Sequence, residues 1–146
     1  MSIMGLDFGL STVGVAISDS MLITAQPIET ITRKGENKLR RTYARIKELI
    51  SEYDVDRIVV GNPKNLDGTE SEMSELAEDF AEELEEKTGL PVEFWDERFT
   101  TNMADRVLKA AGLKGANKKK YVDKMAASII LQGYLEYYGR RENNAL

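Results

Sequence analysis

With 146 residues, 42% of them hydrophobic and 31% charged, the chain suits one domain with its own core and leaves no room for a second large one. It holds neither cysteine nor histidine, which excludes disulfides, thiol nucleophiles, histidine-dependent triads and the usual zinc ligand sets, so catalysis would run on carboxylates, hydroxyls, lysine or arginine. The net charge of −5 is unevenly spread, with −8 over residues 70–87 against +6 over 33–47 and +5 over 105–124, which argues for one acidic and two basic surface regions.

Apolar residues alternate from the start of the chain, so Ile3, Gly5 and Asp7 share one face of a strand while Met4, Leu6 and Phe8 share the other. Asp7 then falls at the strand's carboxyl end. Gly9, Ser11 and Thr12 supply turn chemistry, and Val13-Gly14-Val15-Ala16-Ile17 completes a hairpin. Asp19 closes that second strand in a structural role. A third strand over residues 23–31 is bent at Pro27, which suits an edge. Residues 37–53 form an amphipathic helix with Leu39, Tyr43, Ile46 and Ile50 inward and Arg40, Arg41, Arg45 and Lys47 toward solvent or phosphate.

Residues 56–61 make a β-branched strand, followed by a Pro/Asn/Gly-rich loop. Thr69 with Glu72 resembles a capping box opening a helix that buries Met73, Leu76, Phe80 and Leu84 and stops at Gly89 and Pro91. Val92-Glu93-Phe94-Trp95 leads a strand into Asp96-Glu97-Arg98. A helix capped by Thr100 or Thr101 follows to Ala111, then a basic loop over 113–119. The last helix runs over about 120–138 with Tyr121, Met125, Ile129 and Ile130 inward, and residues 139–146 form a flexible tail.

Three strands, then helix, strand, helix, strand and two helices describe an α/β domain with a mixed five-stranded sheet and helices on both faces. Ligands of such sheets sit beyond the strands' carboxyl ends, where Asp7 and Glu97 both fall. Asp123, early in the final helix, can join them if that helix starts near the same end. Three converging carboxylates repel one another unless some are protonated or a cation lies between them; we read a metal site, Mg²⁺ or Mn²⁺. Such a centre suits phosphodiester hydrolysis. Lys118, Lys119 and Lys120 lie nearby in sequence as phosphate contacts.

Gly5-Leu6-Asp7-Phe8-Gly9, Val13 to Asp19, Gly61-Asn62-Pro63 with Asn65-Leu66-Asp67-Gly68, Trp95-Asp96-Glu97-Arg98-Phe99-Thr100-Thr101 and Val122-Asp123-Lys124-Met125-Ala126-Ala127 together resemble the ordered motifs of the YqgF/RuvX family. The resemblance implies a ribonuclease H-like fold over residues 1–138 and a metal-dependent nuclease related to Holliday junction resolvases, with 5′-end maturation of pre-16S rRNA as its role. It carries the acidic triad onto Asp7, Glu97 and Asp123, and phosphate contacts onto Arg98 and Lys124. Phe8 stands where that family often has proline, and the turn Leu10-Ser11-Thr12 lacks the basic residue often found there. The implied partners are pre-16S rRNA, branched DNA as the alternative, and ribosomal precursor particles, for a monomer or weak homodimer.

Two other classes remain in view: a noncatalytic RNA-binding or ribosome-maturation factor, and a nucleotide-binding protein of the actin and Hsp70 type, suggested by the loop after Asp7. The second needs two lobes, and Gly5, Gly9 and Gly14 match neither the dinucleotide fingerprint nor the P-loop. No run approaches the roughly 20 apolar residues of a membrane helix, and no cationic apolar leader precedes the first strand, so we expect a cytoplasmic protein without membrane partners.

Overall fold

The fold is described from a computed structural model over residues 1–33, 39–63, 71–96 and 115–144, with side chains of the last segment described over 121–138. Its elements are β1 (Ser2–Phe8), β2 (Thr12–Ser18), β3 (Ala25–Thr32), α1 (Leu39–Tyr53), β4 (Val55–Asn62), α2 (Glu72–Thr88), β5 (Val92–Asp96) and α3 (Gly115–Asn144). The five strands form one sheet in the order β3-β2-β1-β4-β5. β1 pairs antiparallel with β2 and parallel with β4, so the expected mixed sheet is present. β3 is an edge, and its register with β2 slips between Val15 and Ala16, where Ala16 stands opposite Pro27. Proline lacks the amide that a regular ladder needs, and the bulge accommodates it.

The period-two pattern sorts the core into two halves. Met4, Leu6, Phe8, Val13, Val15, Ile17, Ile58 and Val60 turn toward α1 and α2, where they meet Tyr43, Ile46, Leu49, Phe80 and Leu84. Phe8 stacks on Phe80 with ring centres 4.5 Å apart. On the other face, Ile3, Ala16 and Val59 pack against Ala127, Ile130, Leu131, Tyr134 and Leu135 of α3. Helices therefore cover both faces, and β1, β2 and β4 are buried on both sides, which is why β2 and β4 are rich in Val and Ile and β1 carries Ile3, Met4, Leu6 and Phe8.

Polar ties fix α3 across the sheet. Gln132 accepts from the Ala25 amide at 2.9 Å and donates to the Ile23 carbonyl at 3.0 Å, holding α3 to the start of β3. Toward β4 and β5, Arg57 donates to the Tyr134 hydroxyl at 3.0 Å, and that hydroxyl donates to Glu93. Burial, helped by the Glu93 carboxylate, raises the Tyr134 pKa above its ordinary value.

Several sequence expectations change. The cap of α2 is Ser71, whose side chain accepts from the Ser74 amide at 3.0 Å; Thr69 lies outside the described residues. Ser71 prevails because its hydroxyl also donates to the Pro63 carbonyl, which ties the helix start to the end of β4. Leu76 is exposed, and Ala77, Phe80, Ala81 and Leu84 carry the buried stripe. Helix α3 begins at Gly115 and continues to Asn144, so both the expected loop over 113–119 and the expected tail from 139 are helical where they are described. A lone glycine costs a helix only about 1 kcal/mol, and the lysines and arginines around Gly115 and Gly139 are good helix formers. In that helix Ile130 is buried as expected, whereas Tyr121, Met125 and Ile129 are half-buried and Ala127, Leu131 and Tyr134 do the packing. The helix expected up to Ala111 lies outside the described residues.

Candidate metal and nucleic-acid site

Two glycines let α3 come down onto the sheet. A Cβ placed on Gly5 would stand 2.7 Å from the Leu131 Cβ, and one placed on Gly14 would stand 1.9 Å from the Asp123 carbonyl oxygen. Those distances forbid any side chain, so the backbone of α3 at Asp123 rests directly on β2. Gly14 is the cross-strand partner of Asp7, which puts their Cα atoms about 5 Å apart. Gly5 and Asp7 share a face by strand parity, and that face is the one α3 covers. The half-buried Asp7 thus lies one strand away from the point where Asp123 meets the sheet, at the carboxyl end of β1.

Thr12 completes the link. It is two residues from Gly14 on the same face, is buried, and donates its hydroxyl to Asp123 Oδ2 at 2.6 Å. The bond orients one carboxylate from beneath. Gly9, whose amide donates to the Thr12 carbonyl at 2.8 Å, closes the turn between the two strands and so connects the end of β1 to Thr12.

The turn has a second brace. The Arg33 amide donates to the Ser11 carbonyl at 2.8 Å, its guanidinium donates to the Gly9 carbonyl, and its Cζ lies 5.0 Å from the Phe8 ring centre. Arg33 is buried, and burial holds its pKa below the ordinary arginine value. Arg33, the residue that follows β3, thereby braces the turn from beneath.

The chemistry of this pair fits a hard divalent cation: carboxylate oxygens from two elements on one face, with a hydroxyl fixing the orientation of one of them. Glu97 and Arg98 lie outside the described residues, directly after the last residue of β5, and among the described residues no third acidic group joins Asp7 and Asp123. Trp95 packs against Gly133 of α3, which places Asp96 on the opposite side of the sheet, as strand alternation requires. Lys124 follows Asp123 and holds its Nζ 5.9 Å from the Tyr121 ring centre. Lys118, Lys119 and Lys120 lie in the first turns of α3, and their side chains are outside the described residues.

The first basic region is smaller than its sequence count. Arg33 is buried, and Arg45 is paired with Glu29 at 2.7 Å and Glu48 at 2.8 Å. Those carboxylates hold the Arg45 pKa above its ordinary value, through hydrogen bonding first. Arg40, Arg41 and Lys47 remain exposed.

Sequence reasoning missed Thr12 and Arg33. Thr12 could have been found by extending the alternation of β2 back from Gly14; Arg33 carried no local signal, because only the sheet brings it under the turn.

The family described as "RuvX: Holliday junction resolvase" matches residues 1–137. A protein of Lachnospira eligens named "Putative pre-16S rRNA nuclease" is 60% identical over 136 residues, covering 93% of this chain and 97% of its own. One of Agathobacter rectalis with the same name is 55% identical over 137 residues, covering 94% and 96%. Among solved structures, T. thermophilus RuvC in complex with a Holliday junction substrate aligns with a TM-score of 0.61 at 16% identity, over 97% of this chain and 96% of that one. At that identity the likeness shows the fold, and the fold is the expected ribonuclease H-like α/β architecture.

Proposed function

This chain belongs to the RuvX family, and on that premise we propose that it is a divalent-metal-dependent endonuclease that hydrolyses phosphodiester bonds in the 5′-end maturation of pre-16S rRNA. The observation that carries the reading is that α3 comes down at Asp123 onto Gly14, the cross-strand partner of Asp7, with Thr12 donating to the Asp123 carboxylate. Asp7, Glu97 and Asp123 would hold Mg²⁺ or Mn²⁺, Glu97 being drawn in by the family resemblance and by its place after β5. A bound cation supplies the charge that acidifies an attacking water and neutralises the departing oxygen. The chain's own part is to orient: β1 holds Asp7 on a rigid strand, Thr12 fixes the Asp123 carboxylate, and Arg33 keeps the turn between them closed. Arg98, Lys118, Lys119, Lys120 and Lys124 would contact flanking phosphates. The protein would act in the cytoplasm on ribosomal precursor particles, as a monomer or weak homodimer; among the described residues no helix is long and apolar enough to cross a membrane.

Cleavage of four-way DNA junctions is the second reading, favoured by the family's own description. A side-by-side assay with Mn²⁺ on precursor rRNA and on a four-way junction separates the two. We expect faster cleavage of the precursor, and loss of cleavage in Asp7→Asn with its thermal melting retained. Unchanged cleavage in that variant would remove Asp7 from the centre, and a preference for the junction would favour the second reading.

A further inference from the structure

We propose that the groove between α2 and β5 is a docking site for a cationic polypeptide segment that carries an apolar side chain. The groove has a volume of about 300 Å³ and is lined by Glu78, Ala81, Glu82, Glu85, Val92 and Phe94. Its walls are unlike in character. Ala81, Val92 and Phe94 form an apolar floor, and Phe94 keeps 43% of its surface exposed on a strand that is the edge of the sheet. Glu78, Glu82 and Glu85 fall at i, i+4 and i+7 on one face of α2 and form a rim of one sign.

Two terms favour the same occupant. An exposed aromatic beside a groove gains by burial, and a rim of carboxylates gains by meeting cations. Among the described residues neither Glu82 nor Glu85 has an ion-pair partner, whereas their neighbour Glu83 pairs with Lys87 at 3.8 Å. The wider helix reinforces the rim, since α2 carries eight acidic residues against Lys87 alone. A nucleic acid would be repelled from such a rim, and an acidic peptide likewise. A segment alternating lysine with leucine satisfies both terms, placing leucine against Phe94 and lysine against Glu82 and Glu85.

The location makes this a separate surface from the nuclease centre. Asp7 and Asp123 lie on the α3 side of the sheet, and the groove lies on the α2 side. A partner here can be held while substrate occupies the other face. The inference does not depend on the nuclease reading.

Titration of the full-length ¹⁵N-labelled protein with a synthetic peptide of alternating lysine and leucine tests it. Shifts should centre on the amides of Ala81, Glu82, Val92 and Phe94. The alternating lysine–serine peptide should bind about tenfold more weakly, as should the lysine–leucine peptide to Phe94→Ser and to the pair Glu82→Gln with Glu85→Gln. Asp7→Asn should bind the peptide unchanged. Equal binding of the lysine–serine peptide, shifts centred elsewhere, shifts of the same amides by a single-stranded oligonucleotide, or undiminished binding by the glutamine pair would each overturn the proposal.

Discussion

Thr12 shows how much a single hydroxyl contributes to the arrangement of the proposed centre. It is buried, its donor is committed to Asp123 Oδ2 at 2.6 Å, and a bond to a carboxylate is stronger than one between neutral groups. Replacing Thr12 with valine keeps the shape and removes the donor. Partners of metal-ligating groups typically contribute about 10- to 100-fold in metal affinity, so Thr12→Val should weaken Mn²⁺ binding by calorimetry on that scale, and Thr12→Ser should restore it. Equal metal affinity in all three proteins would make Thr12 a packing residue only. Gly14→Ala is a harsher test, because its Cβ would fall 1.9 Å from the Asp123 carbonyl oxygen and backbone must move. A loss of about 1–3 kcal/mol or more in denaturant unfolding is expected, together with reduced cleavage. At this scale Asp7 was read from strand alternation and Asp123 from a helix expected to start near residue 120, whereas α3 begins at Gly115 and Asp123 lies in its third turn. Thr12 was read only as turn chemistry, since nothing local to Leu10-Ser11-Thr12 says that a residue 111 positions later will descend onto it.

Elements are held by their ends as much as by their faces, and the β2–β3 turn is held by one carboxylate. Asp19 accepts from the amides of Thr24 at 3.0 Å and Ile23 at 2.7 Å, and these bonds, Thr24's first, lower its pKa from the ordinary 3.8. A carboxylate with a depressed folded-state pKa stabilises the fold in full above its unfolded value and ceases to do so as pH falls through the folded value. The turn should therefore stay closed above about pH 4 and loosen below it. In NMR the Ile23 amide shift should titrate with a midpoint below 3.8, and Asp19→Asn should abolish that titration. A midpoint at or above 3.8 would contradict the two bonds. Asp19's structural role, the edge position of β3 and the stop at Gly89, with φ of 72°, all followed from residue chemistry. Boundaries fared worse for a physical reason. Both Thr69 and Ser71 can cap a helix, and the choice of Ser71 depends on the Pro63 carbonyl arriving from β4. The extra turns of α3 extend a helix whose middle, from Ala127 to Tyr138, is packed on the sheet, and a helix once formed adds residues at little cost.

Over the whole molecule the sheet sets the acidic α2 and the lysine-bearing start of α3 on opposite faces. Helix α2, with carboxylates along its length, covers one face, and α3, with Lys118, Lys119 and Lys120 in its first turns, covers the other. The net −5 conceals this, and the sequence made it visible as blocks; that the acidic block and the lysines entering α3 lie on opposite faces, with the basic α1 beside α2, required the packing of the helices on the sheet. Among the described residues α2 repels phosphate, whereas the start of α3 attracts it on the face that carries Asp7 and Asp123; Arg40, Arg41 and Lys47 of α1 are exposed on the other side. The three lysines precede Asp123 by three to five residues, which is about 5–8 Å of helix rise, close enough to hold phosphates flanking the one at the carboxylates. Each phosphate neutralised on a single strand contributes about 0.7 to the salt slope of binding. Replacing all three lysines with alanine should therefore weaken affinity for a precursor-rRNA oligonucleotide at low salt and flatten the slope by about 2, with thermal melting retained. Footprinting of the same complex should protect the start of α3 and leave α2 open. An unaltered slope in the triple variant, or protection along α2, would place the nucleic acid on another surface and require a different path to Asp7.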